Sequence, residues 1–149
     1  MHKVYKYMRW GVRRLGKAVR FLNVCFLRAM GIKIGSNCFI SLGAKFDATR
    51  GSIAVGDGCV ITHGCVLVAH DPTVRKRYPD QFGEGTITLE DHVYVGVSSV
   101  ILRNVTIGHH AIIGAGTVIT KDVPPYAIVV GNPQRIIRFW GEGSKENPA

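Results

Sequence analysis

His70 is the residue best suited to chemistry. An imidazole titrates near neutrality and can take the proton of a hydroxyl group during nucleophilic attack. Around it the stretch "CVLVAHDPTVRKRYPD" (residues 65–80) changes character, apolar and regular up to Leu67, polar and Pro-rich after His70. Asp71 and Glu84 are acids that could orient the ring or simply stay solvated. Arg75, Lys76 and Arg77 are loop charges, or contacts to an anionic acceptor. The remaining histidines (His2, His63, His92, His109, His110) and the cysteines (Cys25, Cys38, Cys59, Cys65) show neither a CxxC pair nor zinc-like spacing, so no metal is expected.

The break at His70 is conspicuous because the surrounding chain keeps a period of six. Leu89, Val95, Ile101, Ile107, Ile113 and Ile119 follow one another at that step, each succeeded four places later by Val93, Ser99, Val105, Ala111, Thr117 or Val123, mostly small or β-branched. Upstream, Ile34 and Ile40 fit, Phe46 fills the next slot, and three extra residues intervene before Val55, Ile61 and Leu67. Cys38, Cys59 and Cys65 occupy the small slot, where a thiol acts as a compact apolar filler. Such a period suits neither an α-helix nor a hairpin sheet. It suits a coil of three short strands per turn, aliphatic side chains inward, each coil burying its face against the next.

This pattern resembles the left-handed β-helix of hexapeptide-repeat acyltransferases over about residues 34–140. The ending "TKDVPPYAIVVGNPQRIIRFW" is similar to the family's own, in which a proline pair precedes a G-x-P turn and a basic segment. The expected fold is an all-β solenoid, a left-handed parallel β-helix over 31–140, with a protruding loop at 71–86. An N-terminal amphipathic helix over 1–30 and a mobile tail at 141–149 flank it. Pro124 and Pro125 are expected to end strand pairing, and Gly131-Asn132-Pro133 to make a turn.

The motif "LVAHDP" is similar to that of sugar O-acetyltransferases, in which a histidine at such a loop lies beside the acceptor sugar. The resemblance implies transfer of an acetyl group from acetyl-coenzyme A to a sugar hydroxyl, with His70 as general base; Asp71, Arg75, Arg77 and Glu84 of the loop are the candidate contacts to the acceptor. Direct transfer is favoured, because the cysteines near the site have core phase. For coenzyme A it points along one prism edge. Tyr94 stands where maltose and galactoside acetyltransferases carry a tryptophan. Gly96, Ala115, Thr120 and Lys121 match positions along the pantetheine arm, and Arg135 and Arg138 match basic residues near the nucleotide phosphates. Val97 replaces a hydroxyl residue of some relatives. The family's packing implies a homotrimer, and a role in cell-surface polysaccharide or glycolipid assembly follows from the same resemblance.

Other readings of the fold fare worse or remain open. A zinc carbonic anhydrase needs two histidines five residues apart, a spacing not found here. Serine acetyltransferases carry a larger helical N-terminal domain. Antibiotic acetyltransferases share the catalytic core, and a non-catalytic scaffold would bind no coenzyme A.

Charge is unevenly spread. Of the net +9, much lies before residue 30, and no acidic residue occurs before Asp47. Met8, Val12, Leu15, Val19, Leu22, Phe26 and Ala29 follow steps of four and three, a helical stripe ended by Gly31. It is expected to pack over the first coil or a neighbouring subunit, to meet anionic lipid headgroups, or to do both. Nucleic acid is disfavoured, since no recognition module accompanies the charge. The apolar run Phe21–Leu27 is too short to span a bilayer, and nothing reads as a cleaved export signal. The expectation is a reduced, cytoplasmic chain, peripheral at most to the membrane.

Overall fold

The computed structural model describes residues 2–71, 77 and 83–141, with side chains described from residue 15 onward. The predicted tail, apart from Gly141, lies outside the described residues, as does most of the loop after His70. Among the described residues a helix, α1 (His2–Ala29), precedes fourteen short strands. Four coils of three strands follow it: β1 (Lys33–Ile34), β2 (Phe39–Ile40) and β3 (Lys45–Asp47); then β4 (Ser52–Val55), β5 (Val60–Ile61) and β6 (Val66–Val68). The third coil is β7 (Thr86–Leu89), β8 (Tyr94–Val95) and β9 (Val100–Ile101), and the fourth β10 (Val105–Ile107), β11 (Ile112–Ile113) and β12 (Val118–Ile119). Equivalent strands pair in parallel, making face A (β1-β4-β7-β10), face B (from β2 through β5, β8 and β11) and face C (β3-β6-β9-β12).

The six-residue period is the cause. Every member of the run from Leu89 to Ile119 is buried, and so is every small partner from Val93 to Val123. Ser99 can stand in this core because its hydroxyl donates to the Gly96 and Gly114 carbonyls at 2.8 and 2.9 Å. Cys59 and Cys65 are fully buried and Cys38 partly so, as their phase predicted. Burial pushes the Cys59 thiol up to about 11 and raises Cys38 as well. Outside the core, carboxylates tie corners together: Asp91 accepts the amide of Asp57 at 2.7 Å, Asp122 that of Thr106 at 2.7 Å, and Glu90 that of His109 at 2.8 Å.

The prolines do not end pairing. Val123 bridges Ile107, and β13 (Ala127–Val130) adds to face B in parallel beside β11. Pro124 and Pro125 sit at the corner between them, where no ladder donor is needed. The turn at Gly131–Pro133 then reverses the chain, and β14 (Arg135–Phe139) pairs antiparallel with β13. This hairpin covers the C-terminal end of face B. His109 and His110 are half-buried at their corner. His110 stacks on Tyr126 at 5.0 Å and 16°, and the Trp140 indole N–H donates to the His110 carbonyl at 2.8 Å.

At the other end, Gly31 and Ile32 donate to the carbonyls of Arg28 and Leu27, a Schellman ending of α1 with both flanking apolar residues buried. The helix docks through Val24 and Leu27, not through the predicted stripe. Arg28 donates to the carbonyls of Ile34 and Gly35, and Arg20 lies 4.9 Å over the Phe39 ring. Leu15, Val19, Leu22 and Phe26 are exposed. The stripe therefore does not cover this chain's own first coil.

Trp140→Phe keeps an aromatic ring but loses the donor to His110. It should lower unfolding free energy by about 1 kcal/mol, measured by urea denaturation.

Candidate functional site

Two departures from the period of eighteen fall on one edge of the prism. Ile34 stacks on Val55 with three residues to spare, and Val55 stacks on Leu89 with sixteen, whereas Leu89 and Ile107 keep the regular interval. Both insertions join face C to face A, so both bulge at the same corner. Gly51 makes their contact possible: a Cβ there would strike the carbonyl oxygens of Ala69 and Gly85.

His70 stands at this corner, just after β6. It forms an antiparallel bridge with Glu84, and the Asp71 amide donates to Gly83 at 2.7 Å. These contacts close the neck of the loop, and Thr86 already belongs to β7. The imidazole is 20% exposed. Its Nδ1 lies 3.4 Å from Asp47 Oδ1, an ion-pair distance without the alignment of a hydrogen bond, and is buried without a hydrogen-bond partner. Nε2 is left as the nitrogen able to meet a ligand.

The carboxylate beside the ring is thus Asp47, at the end of β3, rather than Asp71 or Glu84. Asp71 lies 3.9 Å from Arg103, and Glu84 is exposed. The Thr49 hydroxyl donates to Asp47 at 2.7 Å, and chiefly for that reason its carboxyl is held below the usual range. Partial desolvation opposes the shift, while the Thr49 amide and the His70 charge reinforce it. Because the folded value is depressed, Asp47 contributes stability above the ordinary carboxylate range, and this is lost as pH falls through the folded value.

A cleft of about 490 Å³ opens at the same edge, lined by Thr49, Arg50, Ser52, Glu84, Thr86 and Asn104 among others. Its walls carry hydroxyls, an amide and both charge signs, donors and acceptors suited to a polyhydroxylated ligand. Arg77 is exposed, and Arg75 lies outside the described residues.

The residues expected along a single coenzyme edge are spread more widely. Thr120 and Lys121 share the C-to-A edge with His70, whereas Gly96 and Ala115 lie on the B-to-C edge. Tyr94 points outward from face B, and Arg135 and Arg138 are exposed on β14. Gly96 has a structural cause of its own: a Cβ would come within 2.6 Å of the Ala115 amide nitrogen. The amides of Thr120 and Lys121 are already taken by Gln134 Oε1, at 2.7 and 3.0 Å, and Gln134 Nε2 returns a bond to the Lys121 carbonyl. Side chains, not these amides, are what that corner offers a ligand. Asp47, Thr49, Arg50 and Gln134 escaped the sequence reading. Only the "GNPQR" turn hinted at one of them, by placing an amide side chain beside the last coil.

Two families of repeats match: bacterial transferase hexapeptide (six repeats) over residues 86–121, and the hexapeptide repeat of succinyl-transferase over 31–69. Protein CapG of Staphylococcus aureus is 37% identical over 117 residues, 75% of this chain and 68% of CapG. A hexapeptide-repeat-containing acetyltransferase of Vibrio cholerae, solved with acetyl-coenzyme A, is 31% identical with a TM-score of 0.66, covering 74% of this chain and 61% of that one. The polySia-specific acetyltransferase NeuO is 27% identical with a TM-score of 0.60, covering 73% of this chain and 53% of NeuO. Serine acetyltransferases also match, one from Synechococcus elongatus at 36% identity with 40% of its length covered. Apart from CapG, the chain spans about half of several curated relatives' length. The chain belongs to the hexapeptide-repeat acetyltransferase family, and its fold is the left-handed β-helix of that family.

Thr49→Val should raise the midpoint at which the Asp47 carboxyl carbon titrates by NMR, leaving the fold intact. Gly96→Ala should cost about 1–3 kcal/mol by chemical denaturation, with or without coenzyme A, because the obstacle is the neighbouring coil.

Proposed function

We propose that this protein transfers an acetyl group from acetyl-coenzyme A to a sugar hydroxyl, with His70 as the general base. The observation that carries this reading is the corner itself. An imidazole with one nitrogen turned towards Asp47 belongs to a residue bridged to Glu84, which lines a cleft of hydroxyl, amide and charged side chains.

The chemistry follows from the ring. Asp47 favours the tautomer with its proton on Nδ1, leaving the Nε2 lone pair to accept the acceptor's hydroxyl proton. The hydroxyl oxygen then bonds to the thioester carbonyl carbon. Collapse of the tetrahedral intermediate expels the coenzyme A thiolate, which regains a proton from the imidazolium or from water. Exclusion of water by bound substrates would draw Asp47 and Nδ1 into a formed hydrogen bond, since leaving Nδ1 buried and unpaired is costly. Asp47 is a positioning residue in this scheme.

A covalent acyl-enzyme has no support among the described cysteines near the core. Cys59 and Cys65 are buried and donate to the carbonyls of Glu90 and Gly96, and a raised pKa leaves Cys59 a poor nucleophile. The likeness to NeuO supports a sugar acceptor, and the scatter of the matched coenzyme residues over two edges suits a cleft shared between subunits of a homotrimer. We place the activity in cell-surface polysaccharide or glycolipid assembly.

His70→Ala should lower turnover about a hundred- to ten-thousand-fold while leaving acetyl-coenzyme A affinity nearly unchanged. Turnover is read as thiol release across nucleotide sugars, lipid-linked sugars, free sugars, antibiotics and serine. Near-normal turnover in a folded variant would dismiss the mechanism, and exclusive use of serine or an antibiotic would dismiss the sugar reading. Asp47→Asn should cause a smaller drop, about tenfold, in kcat rather than KM.

A further inference from the structure

The face of α1 that carries its apolar stripe points away from the prism. Leu27 is only 8% exposed and packs with Val24 on the first coil, whereas Leu15, Leu22 and Phe26 are 67%, 64% and 61% exposed. At 3.6 residues per turn these two sets lie on opposite sides of the helix. Val19 belongs to the outward set, and Met30, just past the helix end, is exposed too. The same spacing continues N-terminally in the sequence to Val12 and Met8, on a helix whose backbone reaches His2.

A run of large apolar side chains held in solvent on a well-anchored helix requires a partner. Charge identifies it. Between His2 and Ala29 the helix carries Lys3, Lys6, Arg9, Arg13, Arg14, Lys17, Arg20 and Arg28 and no acidic residue. A second copy laid against this stripe would bring two uniformly basic helices together, which Coulomb repulsion opposes. A surface of anionic headgroups over acyl chains satisfies both properties, apolar side chains sinking below the headgroups while Lys and Arg stems reach back to them. No described helix is long and apolar enough to cross a bilayer, so the geometry is that of a helix lying in the interface.

We propose that α1 binds anionic lipid in the plane of the membrane through Leu15, Val19, Leu22 and Phe26, with Met30 just past its end, and with the prism on its opposite side. The Schellman ending, the Arg28 bonds and the Arg20–Phe39 contact fasten the helix to the first coil. The active-site corner is then held at a fixed position relative to the lipid surface.

The test is co-sedimentation of the full chain with vesicles of phosphatidylcholine, with and without phosphatidylglycerol. Binding should require phosphatidylglycerol and weaken as salt rises from about 0.1 to 1 M, where the screening length contracts from about 10 to 3 Å. Leu22→Glu with Phe26→Glu should reduce partitioning by about tenfold or more, and Lys17→Glu by a smaller factor. Leu22 and Phe26 are exposed, so the fold should persist, which circular dichroism checks. No binding to phosphatidylglycerol vesicles, or equal binding by the double variant, would overturn the proposal. So would a fall in particle mass of the double variant in light scattering without lipid, because that places a second copy on the stripe. None of these readouts depends on the acetyl transfer proposed above.

Discussion

Each coil has only its neighbours to bury against, and this constraint governs the molecule. Strands of two to four residues cannot form a core alone, so the inward aliphatic side chains must stack in register from coil to coil. Departures from the interval of eighteen can be absorbed only at corners, where the chain leaves the ladder. The two insertions both use the corner between faces C and A, and from that coincidence come the cleft, the loop neck and the contact between β3's end and His70. The position of the site is a consequence of where the repeat was allowed to fail.

The same constraint explains how the few acids are used. Asp57, Glu90, Asp91 and Asp122 accept backbone amides from neighbouring corners and so tie successive coils together outside the core. Asp47 is the last residue of β3, and the insertion after it gives its carboxylate to Thr49 and directs it towards the imidazole. The basic helix lies at the opposite extreme, with no acid to neutralise it and its apolar side turned outward.

The repeat was legible because inward positions recur at a fixed interval and tolerate only aliphatic or small residues, from Leu89 to Ile119 without exception. His70 was legible because the interval breaks there. Asp47 was not: its approach depends on the register of β3 against β6 across an insertion, and no local pattern encodes it. Gln134 was hidden for a similar reason, since a turn brings its side chain back onto residues 120 and 121. Spacing revealed a stripe on α1, but a stripe does not say which side of a helix its own domain will cover. Leu27, outside the stripe, decided that by entering the core.

The central claim is that the protonation state of His70 governs transfer. The direct test compares the pH dependence of kcat/KM with the titration of the His70 ring followed by NMR in the unliganded protein. The account predicts that the rate rises with pH as the ring loses its proton, with the same midpoint in both measurements, and that His70→Ala loses this dependence. A rate independent of pH across the His70 titration, or a midpoint that differs from the ring's, would contradict it.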